Sequence, residues 1–274
     1  MSGELDIDPG LVADLLVRFL RAEAGKFGFS KVVLGLSGGI DSAISAGLAA
    51  RAFGPADVLC VMMPYRTSNP DSEADAREVI TSLGVRSRKV DISAMVDGYL
   101  DQEGVEDRLR RGNVMARARM IVLYDLSAAE GALVIGTSNK TELLLGYSTQ
   151  FGDAASALNP LGDLYKHQVY QLARHLDLPP SVIDKAPSAD LFEGQSDEDE
   201  LGFSYAEADR ILVRLVDERW TPDELTAAGF DAALVDKLAR RIVMNQYKRL
   251  PPIIAKLSAR TINQDFRYLR SWGH

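Results

Sequence analysis

The sequence is short of several things, and each shortage excludes something. It has one cysteine in 274 residues, so the chain cannot bridge to itself by a disulfide. That suits a reducing compartment, and a cytoplasmic location is expected. No apolar stretch approaches the about 20 residues of a membrane span, so no membrane partner is expected. Excess positive charge is missing too. The formal net charge is -8, which argues against a broad basic surface for nucleic acid. Glu4, Asp6 and Asp8 stand where an export signal would carry basic residues. No internal repeat or low-complexity segment is visible.

What is present is ordinary in bulk. Hydrophobic residues make up 46% and charged residues 26%, as in globular proteins. The order of segments carries more. A helical apolar stripe over 11–24 is followed by an apolar strand at 31–36 and a helix at 40–53. Strands are expected again at 57–63, 86–90 and 132–136. Helices are expected at 71–83, capped by Asp71 or Ser72, in a stretch after Ser93, and at 113–130. Strands alternating with helices, with near-continuous apolar strand cores, define an α/β fold: a doubly wound parallel sheet with helices on both faces. Ligands in such sheets sit at the carboxyl ends of the strands. Ser37, Pro64 and Thr137 end three of them and are expected to share one site.

The pattern then changes. Residues 147–162 have no clear period and read as a long functional loop. A helix is expected at 166–176. The acidic run 193–200 reads as a mobile flap, with Asp197–Glu200 solvated rather than metal-binding. Helices resume at 205–216, 222–227 and 231–248. Ile262, Phe266, Tyr268, Leu269 and Trp272 predict that the tail packs.

The most informative stretch is Gly35-Leu36-Ser37-Gly38-Gly39-Ile40-Asp41-Ser42. It joins a strand to a helix, and its glycines let a ligand approach the backbone amides. The helix that follows turns its unpaired N–H groups and positive dipole end toward the loop, which favours phosphate. Ser37 and Ser42 add hydroxyls. Asp41 would be repelled by phosphate unless a cation lay between them, so it reads as a magnesium ligand. The loop lacks both the Gly-Lys-Ser/Thr ending of the commoner phosphate loop and the Gly-x-Gly-x-x-Gly of dinucleotide folds. It resembles the Ser-Gly-Gly-x-Asp-Ser loop of the ATP pyrophosphatases.

Further blocks extend that resemblance: Gly112-Asn-Val-Met-Ala-Arg117-Ala-Arg119, Gly136-Thr-Ser-Asn-Lys-Thr-Glu142, Asp163-Leu-Tyr-Lys166, Pro187-Ser-Ala-Asp190, Glu193-Gly-Gln-Ser-Asp-Glu198 and Tyr247-Lys-Arg249. Their order and spacing are similar to the ammonia-dependent NAD synthetases, with wording nearest the archaeal branch. The resemblance covers nearly the whole chain and implies one synthetase domain over 1–274. It implies ATP-dependent conversion of nicotinate adenine dinucleotide (deamido-NAD) to NAD. ATP adenylates the nicotinate carboxylate, pyrophosphate leaves, ammonia attacks and AMP leaves.

Carried over by position, the resemblance implies that Gly35–Ser42 hold the ATP phosphates. Thr137, Lys166 and Ser188 contact ATP, and Asp41 and Glu142 bind magnesium. Asp41 and Lys166 act in catalysis, and Arg117 meets the dinucleotide. Arg66 is a weaker candidate for the ATP site. The cofactors implied are ATP and magnesium, and the partner is a second copy in a homodimer. Glutamine-dependent relatives carry an amidase domain with a cysteine nucleophile. Cys60 lies mid-strand without a nearby histidine and reads as core, so no glutaminase domain is expected and the donor is ammonia.

Three positions depart from the family pattern. Gln150 stands where a lysine is usual, Ala157 where an aspartate is usual, and Tyr247 where a histidine is usual. In the family all three lie at the dinucleotide pocket. They leave open a different carboxylic acid as acceptor, or an ATP-binding homologue without turnover.

Overall fold

The computed structural model describes residues 3–188, 192 and 194–266. In chain order the elements are α1 (Pro9–Gly25), β1 (Lys31–Gly35), α2 (Ile40–Phe53), β2 (Val58–Met62), α3 (Pro70–Leu83), β3 (Arg86–Lys89), α4 (Ser93–Leu100), α5 (Arg108–Glu130) and β4 (Ala132–Val134). There follow α6 (Lys140–Leu145), α7 (Lys166–His175), α8 (Pro180–Ile183), α9 (Asp197–Leu201), α10 (Tyr205–Leu212), α11 (Pro222–Ala227) and α12 (Ala232–Met244). The four strands are parallel in the order β3-β2-β1-β4. A single parallel bridge from Ile135 to Leu158 prolongs the sheet past β4.

Alternate strand residues face opposite ways, and the two faces are covered separately. Val32, Leu34, Val58, Cys60 and Met62 pack with α2, α3 and α7 on one face. Val33, Leu59 and Val61 pack with α4 and α5 on the other. β2 is buried throughout, as a central parallel strand must be. β3, at the edge, is Arg-Ser-Arg-Lys and exposed throughout, a charged edge that resists pairing with another sheet. A third core joins Leu145 and Tyr165 to α9, α10, α11 and α12.

Several expected boundaries move for physical reasons. α3 begins at Pro70 and is capped by the Asn69 side chain on Asp71 N–H, not by Asp71 or Ser72. α5 begins at Arg108, because Asp107 caps it through Arg110 N–H. Over 197–200 the acidic run is helical, and Asp197 within it is not solvated, whereas Asp199 and Glu200 are. Ser196 caps α9, four acids in the first turn suit the helix dipole, and Asp197 is buried beneath two tyrosine hydroxyls. The tail does not pack on this chain over its described part: Ile253 is 90% exposed and Leu257 94%. Tyr268, Leu269 and Trp272 lie outside the described residues.

Cys60 sits at the centre of β2, and burial pushes its thiol up to about 12. Disulfide-exchange reagents at pH 8 should therefore leave the native protein unlabelled and modify one thiol in denaturant. Rapid labelling of the native protein would show that β2 is not a central strand.

Candidate active site

The strand order reverses direction beside β1, and a crevice opens at the carboxyl ends of β1 and β4. A cavity of about 1280 Å³ occupies it, and Ser37, Pro64 and Thr137 all line it. That volume exceeds the usual range for one drug-sized ligand and suits two.

The Gly35–Ser42 loop is built by its own side chains. Leu36 and Ile40 are buried anchors. Ser42 Oγ donates to Gly39 O at 2.9 Å and accepts from Ser37 N–H at 3.2 Å. Ser37 Oγ accepts from Gly39 N–H at 3.2 Å. The hydroxyls thus brace the turn. Gly38 has φ +81°, and a Cβ there would lie 2.2 Å from Ser72 O, so only glycine fits. Every loop residue except Gly38 lines the cavity. Among the described residues no side chain caps α2 at Gly39, which leaves its first turn directed at the cavity.

Asp41 of the loop belongs to a charged triad. Lys166, the first residue of α7, has a side chain only 3% exposed. Its Nζ lies 2.5 Å from Asp41 Oδ2 and 3.3 Å from Glu142 Oε1. Asn139 Nδ2 donates to Asp41 Oδ1 at 2.9 Å. Asn139 and Glu142 also form the capping box of α6, which fixes the glutamate at the helix start. Lys166 Nζ lies 5.1 Å from the centre of the Tyr205 ring, within cation–π range. Burial first, and the neighbouring Asp41 second, push Glu142 up to about 8. Burial works to lower the Lys166 ammonium, but Asp41 and Glu142 together outweigh it and hold it above its ordinary value. Lys166 is therefore a permanent cation, suited to stabilising negative charge rather than to exchanging a proton.

Asp41 and Glu142 are hard oxygen donors sharing one positive charge. That donor set fits a magnesium ion which takes its remaining ligands from water and phosphate. Among the described residues no group of three or more His, Cys, Asp or Glu side chains is placed to hold a metal by itself.

The remaining expected residues separate. Thr137 and Ser188 line the cavity. Arg117 lines it as well, and its Nη2 donates to Gln150 O at 3.3 Å. Arg66 does not: its guanidinium pairs with Asp97 at 2.9 Å and donates to the Tyr65 hydroxyl at 3.2 Å. Of the three departures, Gln150 and Tyr247 line the cavity, whereas Ala157 lies outside its lining.

Sequence reasoning passed over Asn139 and Tyr205. The Asn139-x-x-Glu142 capping signature was a visible signal for the first. It also passed over the work of Lys248 and Arg249. Lys248 Nζ donates to Gly146 O and Ser148 O, both at 2.7 Å. Arg249 Nη1 donates to Leu143 O and Leu144 O at 3.0 and 3.1 Å, and its Nη2 to Ile242 O at 2.6 Å. Arg241 Nε and Asn245 Nδ2 both reach Leu145 O, at 3.2 and 3.1 Å. These side chains take up the last carbonyls of α6 and meet the negative end of its dipole.

A crevice at a topological switch point, a glycine loop opening a helix and a buried lysine between two acids define a nucleotide-binding α/β protein. Comparison with known proteins narrows this. The NAD synthase family profile matches residues 12–252. The chain is 55% identical over 268 residues to an NH(3)-dependent NAD(+) synthetase of Chlorobium phaeobacteroides, covering 98% of this chain and 97% of that one. Among solved structures it is similar to an NH3-dependent NAD synthetase from Campylobacter jejuni. There the TM-score is 0.79 and the identity 35%, over 92% of this chain and 100% of that one. It is similar also to an NMN synthetase from Francisella tularensis, with TM-score 0.81 and 31% identity over 91% and 99% of the two chains. The chain belongs to the NAD synthase family. The sequence relative is bacterial, so motif wording close to the archaeal branch does not set this chain apart from bacterial enzymes.

Arg249→Ala should lower stability by about 1.5–3 kcal/mol in urea unfolding, the range for hydrogen bonds to a charged group. Arg249→Lys should recover only part, since an ammonium cannot reproduce the planar fork. Full stability of Arg249→Ala would show that α6 needs no such support.

Proposed function

We propose that the protein amidates nicotinate adenine dinucleotide with ammonia, consuming ATP and giving NAD, AMP and pyrophosphate. The observation that carries this is the convergence of the Gly35–Ser42 loop, Thr137, Glu142, Lys166 and Arg117 on one cavity in a chain of the NAD synthase family. A carboxylate is a poor electrophile, and adenylation gives it a good leaving group. Loop amides and the α2 N-terminus hold the phosphates. Asp41 and Glu142 would hold magnesium, which when bound offsets phosphate charge. Lys166 adds a fixed cation to the same field. Arg117, which lines the same cavity, offers the acceptor a cation.

A second reading keeps the chemistry and changes the acid. Gln150 and Tyr247 line the cavity in place of a basic pair, and a protein named NMN synthetase shares the fold. A mononucleotide acceptor is the form this reading takes. We read residues 1–274 as one synthetase domain, in the cytoplasm, working as a homodimer. Exposed Leu109, Ile121 and Tyr124 on α5 support the dimer. Among the described residues no helix is long and apolar enough to cross a membrane.

Purified protein given ATP, magnesium, ammonium and nicotinate adenine dinucleotide should release pyrophosphate and NAD in equal amounts. Nicotinate mononucleotide in its place should give far less. Preference for the mononucleotide would establish the second reading, and pyrophosphate with neither acceptor would refute both. In the same assay Asp41→Asn should abolish magnesium-dependent pyrophosphate release, and full activity would overturn the metal assignment.

A further inference from the structure

One buried carboxylate ties together the two helices that present the triad. Asp209, on α10, is 0% exposed. Its Oδ1 accepts the Thr141 hydroxyl at 2.6 Å, and its Oδ2 accepts His167 N–H at 2.8 Å. Thr141 Oγ1 in turn accepts Lys166 N–H at 3.0 Å. The hydroxyl has one proton, which goes to Asp209, so its lone pairs face Lys166. A helix cannot satisfy its own first amides. Here the first two of α7 are taken by Thr141 of α6 and Asp209 of α10. A carboxylate also suits the positive end of α7.

The surroundings sharpen the point. Tyr205, Ala208, Ile211 and Leu212 make the buried face of α10 apolar, and Asp209 is the charged member among them. Burying a carboxylate is costly unless it is hydrogen-bonded. What it holds here is the backbone N–H of His167, next to Lys166, and the side chain of Thr141, next to Glu142.

We propose that Asp209 is a positioning residue for the adenylation step. Through Thr141 and His167 N–H it locks α6 against α7 and so sets the separation of the Glu142 and Lys166 side chains. This inference rests on the roles that the proposed function gives those two residues.

The test uses the full chain with Thr141→Val, Thr141→Ser, Asp209→Asn and the double variant Thr141→Val/Asp209→Asn, each assayed well below its melting midpoint. Thr141→Val is nearly isosteric and keeps the test open should Asp209→Asn not fold. Thr141→Val and Asp209→Asn should each lower kcat for pyrophosphate release about 10- to 100-fold, as loss of supporting bonds does at metal sites. Thr141→Ser, which keeps the hydroxyl, should restore most of the rate. The double variant should be no slower than the slower single, since both cut one chain of bonds. The inference is overturned if folded Thr141→Val keeps kcat within about twofold, or if the two losses multiply. Should the unmutated protein release no pyrophosphate, the functional reading fails alone. Calorimetric affinity for magnesium-ATP then decides the positioning role. Binding about tenfold weaker in Thr141→Val supports it, and equal binding refutes it.

Discussion

The site depends on one buried ammonium. Lys166 Nζ lies between Asp41 and Glu142, on three different helices, with almost no access to solvent. Withdrawing such charges from water costs several kcal/mol per ion, and mutual attraction offsets this only with good geometry and further hydrogen bonds. The protein supplies both. Asn139 donates to Asp41, and the Tyr205 ring lies beside the ammonium. Removing one member leaves an uncompensated buried charge, which typically costs about 3–5 kcal/mol. α2, α6 and α7 are therefore coupled through a contact that each can satisfy in only one arrangement.

Topology explains why these helices meet. From β1 the chain moves outward through β2 and β3, then returns to place β4 on the far side of β1. The helices that follow β1 and β4 thus start side by side over the crevice. The first turn of α2 lines the cavity, and its dipole adds to the positive field there. The C-terminal helices are not a separate unit hung on this frame. α10 meets α7 through Asp209, while α12 and the turn after it meet the end of α6 through Arg241, Asn245, Lys248 and Arg249. Gly146, at φ +64°, ends α6 where the Asn245 side chain would collide with a Cβ. Both ends of the short helix carrying Glu142 are thereby held by residues far along the chain.

Much of this was legible in the residues themselves. The β–α alternation, the glycine loop and the change of pattern after Thr137 are local signals, and the fold followed from them. α2 lies at the residues its pattern predicted, since Gly39 opens it and Gly54 closes it. Asp41, Glu142 and Lys166 were singled out, but their sharing of one ion pair was not, because the partners lie 125 and 24 residues apart. The carbonyl clamp on α6 was invisible for the same reason: Lys248 and Arg249 look like surface cations until the backbone they serve is in place. Asp209 left a faint signal, an acid on an otherwise apolar helical stripe. The acidic run has the composition of a solvated flap, while the Ser196 cap and the tyrosines above Asp197 make its 197–201 part a helix.

The measurement that bears most directly on the central claim is a crystal structure with a non-hydrolysable ATP analogue and manganese, the metal located by its anomalous signal. Phosphates should lie against the 35–42 loop and the α2 N-terminus, and a metal peak should be shared by Asp41 and Glu142 with Lys166 alongside. Nucleotide bound elsewhere, or a metal peak that touches neither carboxylate, would contradict that claim.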